Sequence, residues 1–476
     1  MASQDLLRVG LCGIGLEAYW EQFTGLKEQL EGYVAAVEKR LTRHGVELLN
    51  LGLIDTTQRA RAARHELRRG DIDVLFIYVT TYALSSTVLP LVRQAGVPVI
   101  VLNLQPKAAI DYAAFNKMQD RTAMTGHWLA YCSACPVPEI ANVLMRAGIP
   151  FHQVTGVLDE DATWSEIEDW LAAARTRSAL EQNRLGLLGH YYSGMFDIMT
   201  DVTQICITFG SDVEIVEVDE LSALRTDVAE SAIEARVDEF RSHFDVQSDC
   251  SGEELRRAAR TSIALDQFIE HHQLTSLAYY YKGSGVEANE DTMSSIILAA
   301  SMLTARHIPV AGEYEVKNAI SMKIMDSLGA GGSFTEYYAI DFDADLVLMG
   351  HDGPGHIAIA EGKTKVRPLK VYHGKVGRGL SIEMSVKHGP VTLLSVVEDP
   401  VTRFKLVVAE GESVPGEILE IGNTNSRYRF PVGARKFIEL WNAQGPAHHC
   451  AIGVGHVAHT LEKLARLLNV GFCQIC

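Results

Sequence analysis

No run of about 18 apolar residues occurs in the 476-residue chain, so no segment reads as a helix that crosses a bilayer. The opening MASQDLLRVGLCGIG has only a short apolar run, soon followed by Glu17 and Trp20, and lacks the basic start and cleavage pattern of an export signal. Cysteine is sparse, with eight in all, too few for a disulfide framework at this length. The expectation is a chain held in a reducing cytoplasm. Basic charge is also scarce: 43 Lys and Arg stand against 60 Asp and Glu, a formal net charge of −17. Such a surface repels nucleic-acid backbones and anionic lipid, so neither nucleic acid nor membrane is expected as a partner. The densest basic stretch, Arg59 to Arg69, is spaced like the solvated face of a helix. Internal repeats and low-complexity tracts are absent. The glycines of GLCGIGLEA stop at Gly13 and Gly15, with Ala18 where a dinucleotide fingerprint needs its third glycine.

What is present is an α/β grammar. RVGLCG, GVELLNLG, VLFIYV and PVIVLNL are short aliphatic runs, and amphipathic stretches such as GLKEQLEGYVAAVEKRLTRHG separate them. This predicts a Rossmann-like N-terminal α/β domain with a buried parallel sheet over residues 1–180. LGLLGHYYSG and VEIVEV open a second α/β domain over 181–328, with helices near Ile233–Phe244 and Glu253–His272 and one spanning EDTMSSIILAASMLTARH. From about residue 329 the pattern becomes short strands joined by Gly and Pro turns: ADLVLMGH, KVRPLKVYH, SIEMSVKHGPVTLLSVVE, RFKLVVAEGE and GEILEIG. The prediction for 329–476 is an antiparallel, barrel-like β-rich domain, ended by the helix VAHTLEKLARLLNV.

Four segments in the last third combine acid and imidazole groups with glycine-rich backbone: GEYE (312–315), GGSFTEYY (331–338), MGHDGPGH (349–356) and GPAHHC (445–450). A divalent cation that also binds sugar hydroxyls needs carboxylate oxygens and imidazole nitrogens, and these segments offer Glu313, Glu336, His351 and His449. His448 is the rival imidazole beside His449. Singly, each residue is as well explained as a loop carboxylate, a strand-edge carboxylate, a core histidine or a turn. Their conjunction is the signal.

The order and flanks of GEYEVKNAISMKIMDSLGAGGSFTEYYAIDFDADLVLMGH resemble the metal-site core of the L-arabinose isomerase family: a Glu opening a helix with an MKxM segment, a Gly-Gly-Ser-Phe stretch ending in a second Glu, and a strand delivering a His. The late GPAHH resembles the family's last ligand segment, and GLEAYW (15–20) and GHYYSGMFD (189–197) resemble segments that face the sugar. The resemblance implies an aldose–ketose isomerase acting on a free sugar through an enediol, in a trimer-based homo-oligomer, commonly a hexamer. It also implies substrate contacts at Tyr19, His127 and Met195. Moving a proton between adjacent carbons needs a positioned acid/base, here Glu313 and Glu336, and a cation to stabilise the enediolate. Mixed oxygen and imidazole ligation favours Mn²⁺, with Mg²⁺ or Co²⁺ as substitutes. Trp20 reads equally as pocket wall and as core, and Arg427 as a salt-bridged turn residue. A metal-dependent epimerase or aldolase, or a non-catalytic sugar-binding protein on the same fold, would use the same residues.

Overall fold

The computed structural model describes residues 6–93, 95–283, 285–369 and 377–476. Two compact units divide the chain, Met1–Ser178 and Ala179–Cys476. In the first, β1 (Leu7–Ile14), β2 (Val46–Ile54), β3 (Val74–Val79), β4 (Val99–Gln105) and β5 (His152–Val157) form one parallel sheet in the order 2-1-3-4-5. All six residues of β3 are buried, as expected of a strand covered on both faces. The basic stretch lies on helix Thr57–Gly70, which turns Ala60, Ala63 and Leu67 to the core. Strand order reverses between β1 and β3, and the segments leaving these strands carry Tyr19 and Tyr82 to one apolar cluster around Leu26, Leu30 and Leu129.

The second unit opens with a parallel sheet of β6 (Arg184–Leu188), β7 (Asp212–Val216), β9 (Ser276–Tyr279) and β10 (Val310–Ala311), in the order 10-9-6-7. β8 (Asp245–Val246) instead pairs with β13 (Lys365–Pro368), which pairs in turn with β14 (Leu380–Glu383). The rest of the strand predicted through His373 falls outside the described residues. The helix expected through EDTMSSIILAASMLTARH is two helices, Glu287–Met293 and Ile297–Ala305. The break falls at Ser294–Ser295, whose hydroxyls bond back to the Asp291 carbonyl at 3.3 and 2.8 Å and offer the backbone an alternative to the ladder.

The antiparallel strands β11 (Gly331–Asp341), β12 (Leu346–His351), β15 (Gly389–Asp399), β16 (Arg403–Ser413), β17 (Thr424–Arg429) and β18 (His449–Val454) run in the order 15-18-11-12-17-16, and β15 pairs with β16 to close a six-stranded barrel. Val391, Leu393, Val407, Ala409 and Tyr428 belong to its core, against which Phe437 and Trp441 of helix Ala434–Asn442 pack. Helix Val316–Ser327 lies against β11, β15 and β18 and is buried on nearly every side. A further expectation is corrected: helix Ala458–Leu468 does not end the domain. It is followed by β19 (Gly471–Gln474), which pairs in parallel with β16. GFCQ is too short and too half-buried to show a strand period. No helix among the described residues is long and apolar enough to cross a membrane.

His272 illustrates how the second unit ties its surface elements. Its Nδ1 lies 2.8 Å from Glu214 and its Nε2 2.8 Å from Glu220, while Arg184 also pairs with Glu214. Burial opposes the charged imidazole, but the two carboxylates outweigh it and raise the pKa above the ordinary histidine value. A raised pKa means that the contribution to stability is complete below about pH 6.5 and is lost as pH rises through the folded-state value. Denaturant titrations across that range should show stability falling with pH, and His272→Gln should flatten the slope; an unchanged slope would show that His272 carries no part of it.

Candidate active site

Gly312 leads out of β10 into a turn in which both Glu313 (φ 55°) and Tyr314 (φ 62°) adopt left-handed backbone. Two consecutive non-glycine residues in that region cost about 1–2 kcal/mol each, and they hold only because the surroundings insist. The Tyr314 amide donates to the Tyr279 carbonyl at 2.8 Å and the Glu315 amide to the Gly312 carbonyl at 3.0 Å. The turn aims the Glu313 carboxylate at the end of the barrel.

Three imidazoles meet it there. Glu313 Oε2 is 3.8 Å from His449 Nε2 and 3.9 Å from His448 Nε2, and Glu313 Oε1 is 4.0 Å from His351 Nε2. Glu336 joins through register: on β11 it pairs directly with His449 of β18, so the two side chains share a face, and its partner across the other edge is Gly350 of β12. A Cβ at Gly350 would meet the Thr424 carbonyl, so glycine is required for β12 and β17 to approach. Phe334 packs against two of the imidazoles, its ring 4.5 Å from His351 and 4.3 Å from His449, which lie 5.1 Å from each other.

Each histidine of the pair at 448–449 has its own carboxylate. His449 is fully buried and its Nδ1 lies 2.5 Å from Glu315, itself buried. Burial pushes the Glu315 carboxyl up to about 8 and the His449 imidazole down to about 4. With Nδ1–H donating to Glu315, Nε2 presents its lone pair toward Glu313. His448 is more exposed, its backbone N–H donates to Asp197 at 3.0 Å and its Nδ1 lies 2.5 Å from the same carboxylate. Burial opposes its charged form, yet Asp197 raises its pKa. Burial also raises the pKa of Glu336, and the nearby imidazoles oppose that rise. A cavity of about 320 Å³ opens beside Glu336, Asp197, His448, Trp441 and Pro446.

These residues fit a cation. Glu313 Oε2 and His449 Nε2 are buried and lack hydrogen-bond partners. Adjacent ligands of one octahedral cation lie about 3 Å apart, and these atoms stand 3.8 Å apart, room enough for a cation that draws them together. The ligand atoms of Glu313, His448 and His449 converge within 4.8 Å. Glu315 on Nδ1 of His449 is the carboxylate–imidazole support typical of a metal-binding histidine.

The four residues expected to bind metal are thus brought to one end of the barrel. Met195 lies half-buried on the turn just before Asp197. Tyr19 and His127 lie in the first unit: Tyr19 is half-buried with its ring 5.8 Å from Phe23, and His127 is exposed on helix Arg121–Leu129, 4.6 Å from the Phe115 ring. Trp20 donates to Asp55 at 2.8 Å and packs on the Leu26 cluster. Arg427 is no turn residue: it lies in β17, and its guanidinium donates to the Pro415 carbonyl without a carboxylate partner among the described residues. Glu315, Asp197 and Phe334 were missed by sequence reasoning. For Glu315 the signal was its place two residues after a proposed ligand; nothing local marked Asp197 or Phe334.

A family model of the L-arabinose isomerase central domain matches residues 199–331, and one of the L-arabinose isomerase C-terminal domain matches 331–471. The chain belongs to the L-arabinose isomerase family. Among its relatives are an L-arabinose isomerase of Nocardioides sp. (strain ATCC BAA-499 / JS614), 26% identical over 69% of this chain and 67% of the relative, and one of Shewanella sp. (strain ANA-3), 25% identical over 63% of this chain and 61% of the relative. A sulfoquinovose isomerase of Alkalicoccus urumqiensis is 23% identical over 70% of this chain and 74% of the relative. The two family models meet at Gly331, where β11 of the barrel begins.

The support that Glu315 gives His449 is directly measurable. Glu315→Gln keeps the shape but replaces the carboxyl behind Nδ1 with an amide, so Mn²⁺ affinity should fall about 10- to 100-fold in an equilibrium titration. Unchanged affinity would show that His449 needs no carboxylate behind it.

Proposed function

We propose that this protein interconverts an aldose and its 2-ketose through an enediol, acting on a free pentose or hexose such as L-arabinose, with a divalent cation held by Glu313, Glu336, His351 and His449. The observation that carries the reading is the convergence of unpartnered, buried Glu313 Oε2 and His449 Nε2, with Glu336 paired across the strand from His449. Family membership supports the reaction class. Bound there, a dication such as Mn²⁺, or Mg²⁺ or Co²⁺ in its place, would chelate the two sugar oxygens and ease the build-up of negative charge on them.

Isomerisation removes a proton from the carbon beside the carbonyl and returns one to its neighbour. Glu313 and Glu336 are the two carboxylates poised to take and return it, while His351 and His449 hold the remaining positions. Trp441 and Tyr337 line the cavity beside Glu336 and restrict water. The carboxyl groups of Asp197, Glu313, Glu336 and Asp352 gathered at the site favour an uncharged sugar over a sulfonated or phosphorylated one. The eight free cysteines fit a reducing, cytoplasmic setting. Assembly follows the family pattern, a trimer-based hexamer in which Tyr19 and His127 of one protomer complete the sugar pocket of the next.

Incubating the protein with a panel of pentoses, hexoses, deoxyhexoses and sulfonated or phosphorylated aldoses should yield ketose from an uncharged member; chelator should abolish the activity and Mn²⁺ restore it. No ketose from any aldose with metal present would overturn the reading. Glu336→Gln should lower turnover by about two orders of magnitude or more with metal still bound. Mixed oligomers of His127→Ala and Glu336→Gln should regain part of the activity that each parent lacks; mixed oligomers verified by mass that stay inactive would exclude sharing through His127.

A further inference from the structure

Lys317 is 6% exposed, on a helix buried along most of its length, four residues beyond Glu313. An ammonium group in such a place must be well satisfied or it destabilises the fold. Among the described residues no carboxylate lies within ion-pair distance of it, although its charge acts on the buried Glu315 carboxyl. Its Nζ instead donates to the backbone carbonyls of Asp197 at 2.6 Å and Met199 at 3.3 Å. The charge is therefore directed at the segment that leads from β6 toward helix Val202–Phe209.

That segment has little apolar hold of its own. Ile198 is buried, but Phe196 is 78% exposed and Met199 is exposed as well; Thr200 Oγ1 donates to Glu398. From the held turn the Asp197 carboxylate reaches back to accept from the backbone N–H of His448 and to engage its Nδ1. His448 Nε2 is thereby set 3.9 Å from Glu313 Oε2, at the wall of the cavity that Glu336 lines. A chain of contacts runs from Lys317 through a backbone turn and one carboxylate to an imidazole at the reacting centre.

We propose that Lys317 is a positioning residue for isomerisation: it fixes the Asp197 turn, and through Asp197 it fixes the orientation of His448. The inference rests on the isomerase reading for its kinetic test but not for its structural one. Lysine suits the task because three donors on one compact charge can serve two carbonyls at once, which methionine of similar length cannot do.

The test is a double-mutant cycle on the aldose that wild type turns over best. Lys317→Met and Asp197→Asn should each lower kcat/KM about tenfold, and the double variant should lose no more than the worse single, because both break one chain. Losses that multiply to about a hundredfold would assign Lys317 a merely structural role and overturn the proposal. A crystal structure of Lys317→Met supplies the readout independent of activity: the His448 ring should leave Asp197, and a ring still in place at 2.5 Å would overturn the proposal even if kcat/KM had fallen. If Lys317→Met does not fold, Lys317→Gln, with one carbonyl still served, takes its place in both measurements and should give a smaller displacement and a smaller loss. Wild-type protein inactive on every aldose would instead refute the isomerase reading, and the crystal structure would still decide the role of Lys317.

Discussion

The hydrogen bond between Glu315 and His449 fastens the turn that carries Glu313 to the barrel strand that begins at His449. Both partners are buried, so neither can exchange the other for water, and since burial draws both toward their neutral forms the bond contributes about 0.5–1.5 kcal/mol. Its geometric effect is larger than its energy. By occupying Nδ1 it leaves Nε2 as the working face of His449, and by anchoring the start of helix Val316–Ser327 it sustains the two left-handed residues just before it. Without that anchor Glu313 and Tyr314 would relax toward ordinary backbone, and the Glu313 carboxylate would swing away from the imidazoles.

The fold was legible wherever hydrophobic period decides structure. β3, buried on both faces, reads as an unbroken apolar run, and the switch to short strands with Gly turns announces the barrel. Legibility failed where tertiary competition set the outcome: the Ser294–Ser295 break depends on hydroxyls choosing nearby carbonyls, and β19 forms because the edge of β16 lies open to it. The site divides in the same way. Glu313, Glu336, His351 and His449 could be picked out because acid, imidazole and glycine recur together in four segments. Asp197 could not, since 251 residues separate it from His448, and Phe334 could not, since an aromatic residue in a strand nearly always means core.

Burial supplies the remaining logic. The carboxyl groups of Glu315 and Glu336 are pushed upward by loss of water, and the imidazole of His449 downward, so each of the three is drawn toward its neutral form. A dication bound there would reverse that tendency at the groups it touched, coupling occupancy of the site to release of protons. The acidity of the chain as a whole has a local counterpart here, in carboxylates concentrated around one centre.

The closed ladder of the barrel has a consequence for divergence. β11, β12 and β18 deliver Glu336, His351 and His449 as parts of one hydrogen-bonded ring with no free edge between them, so a shift of any one must drag its neighbours along. Such a scaffold resists gradual retuning. Relatives named L-arabinose isomerase and sulfoquinovose isomerase match this chain at 26% and 23% identity. Inheritance can therefore keep the reaction chassis fixed while substrate preference drifts in the segments outside the ring, such as the exposed turn around Phe196, where a substitution disturbs no strand.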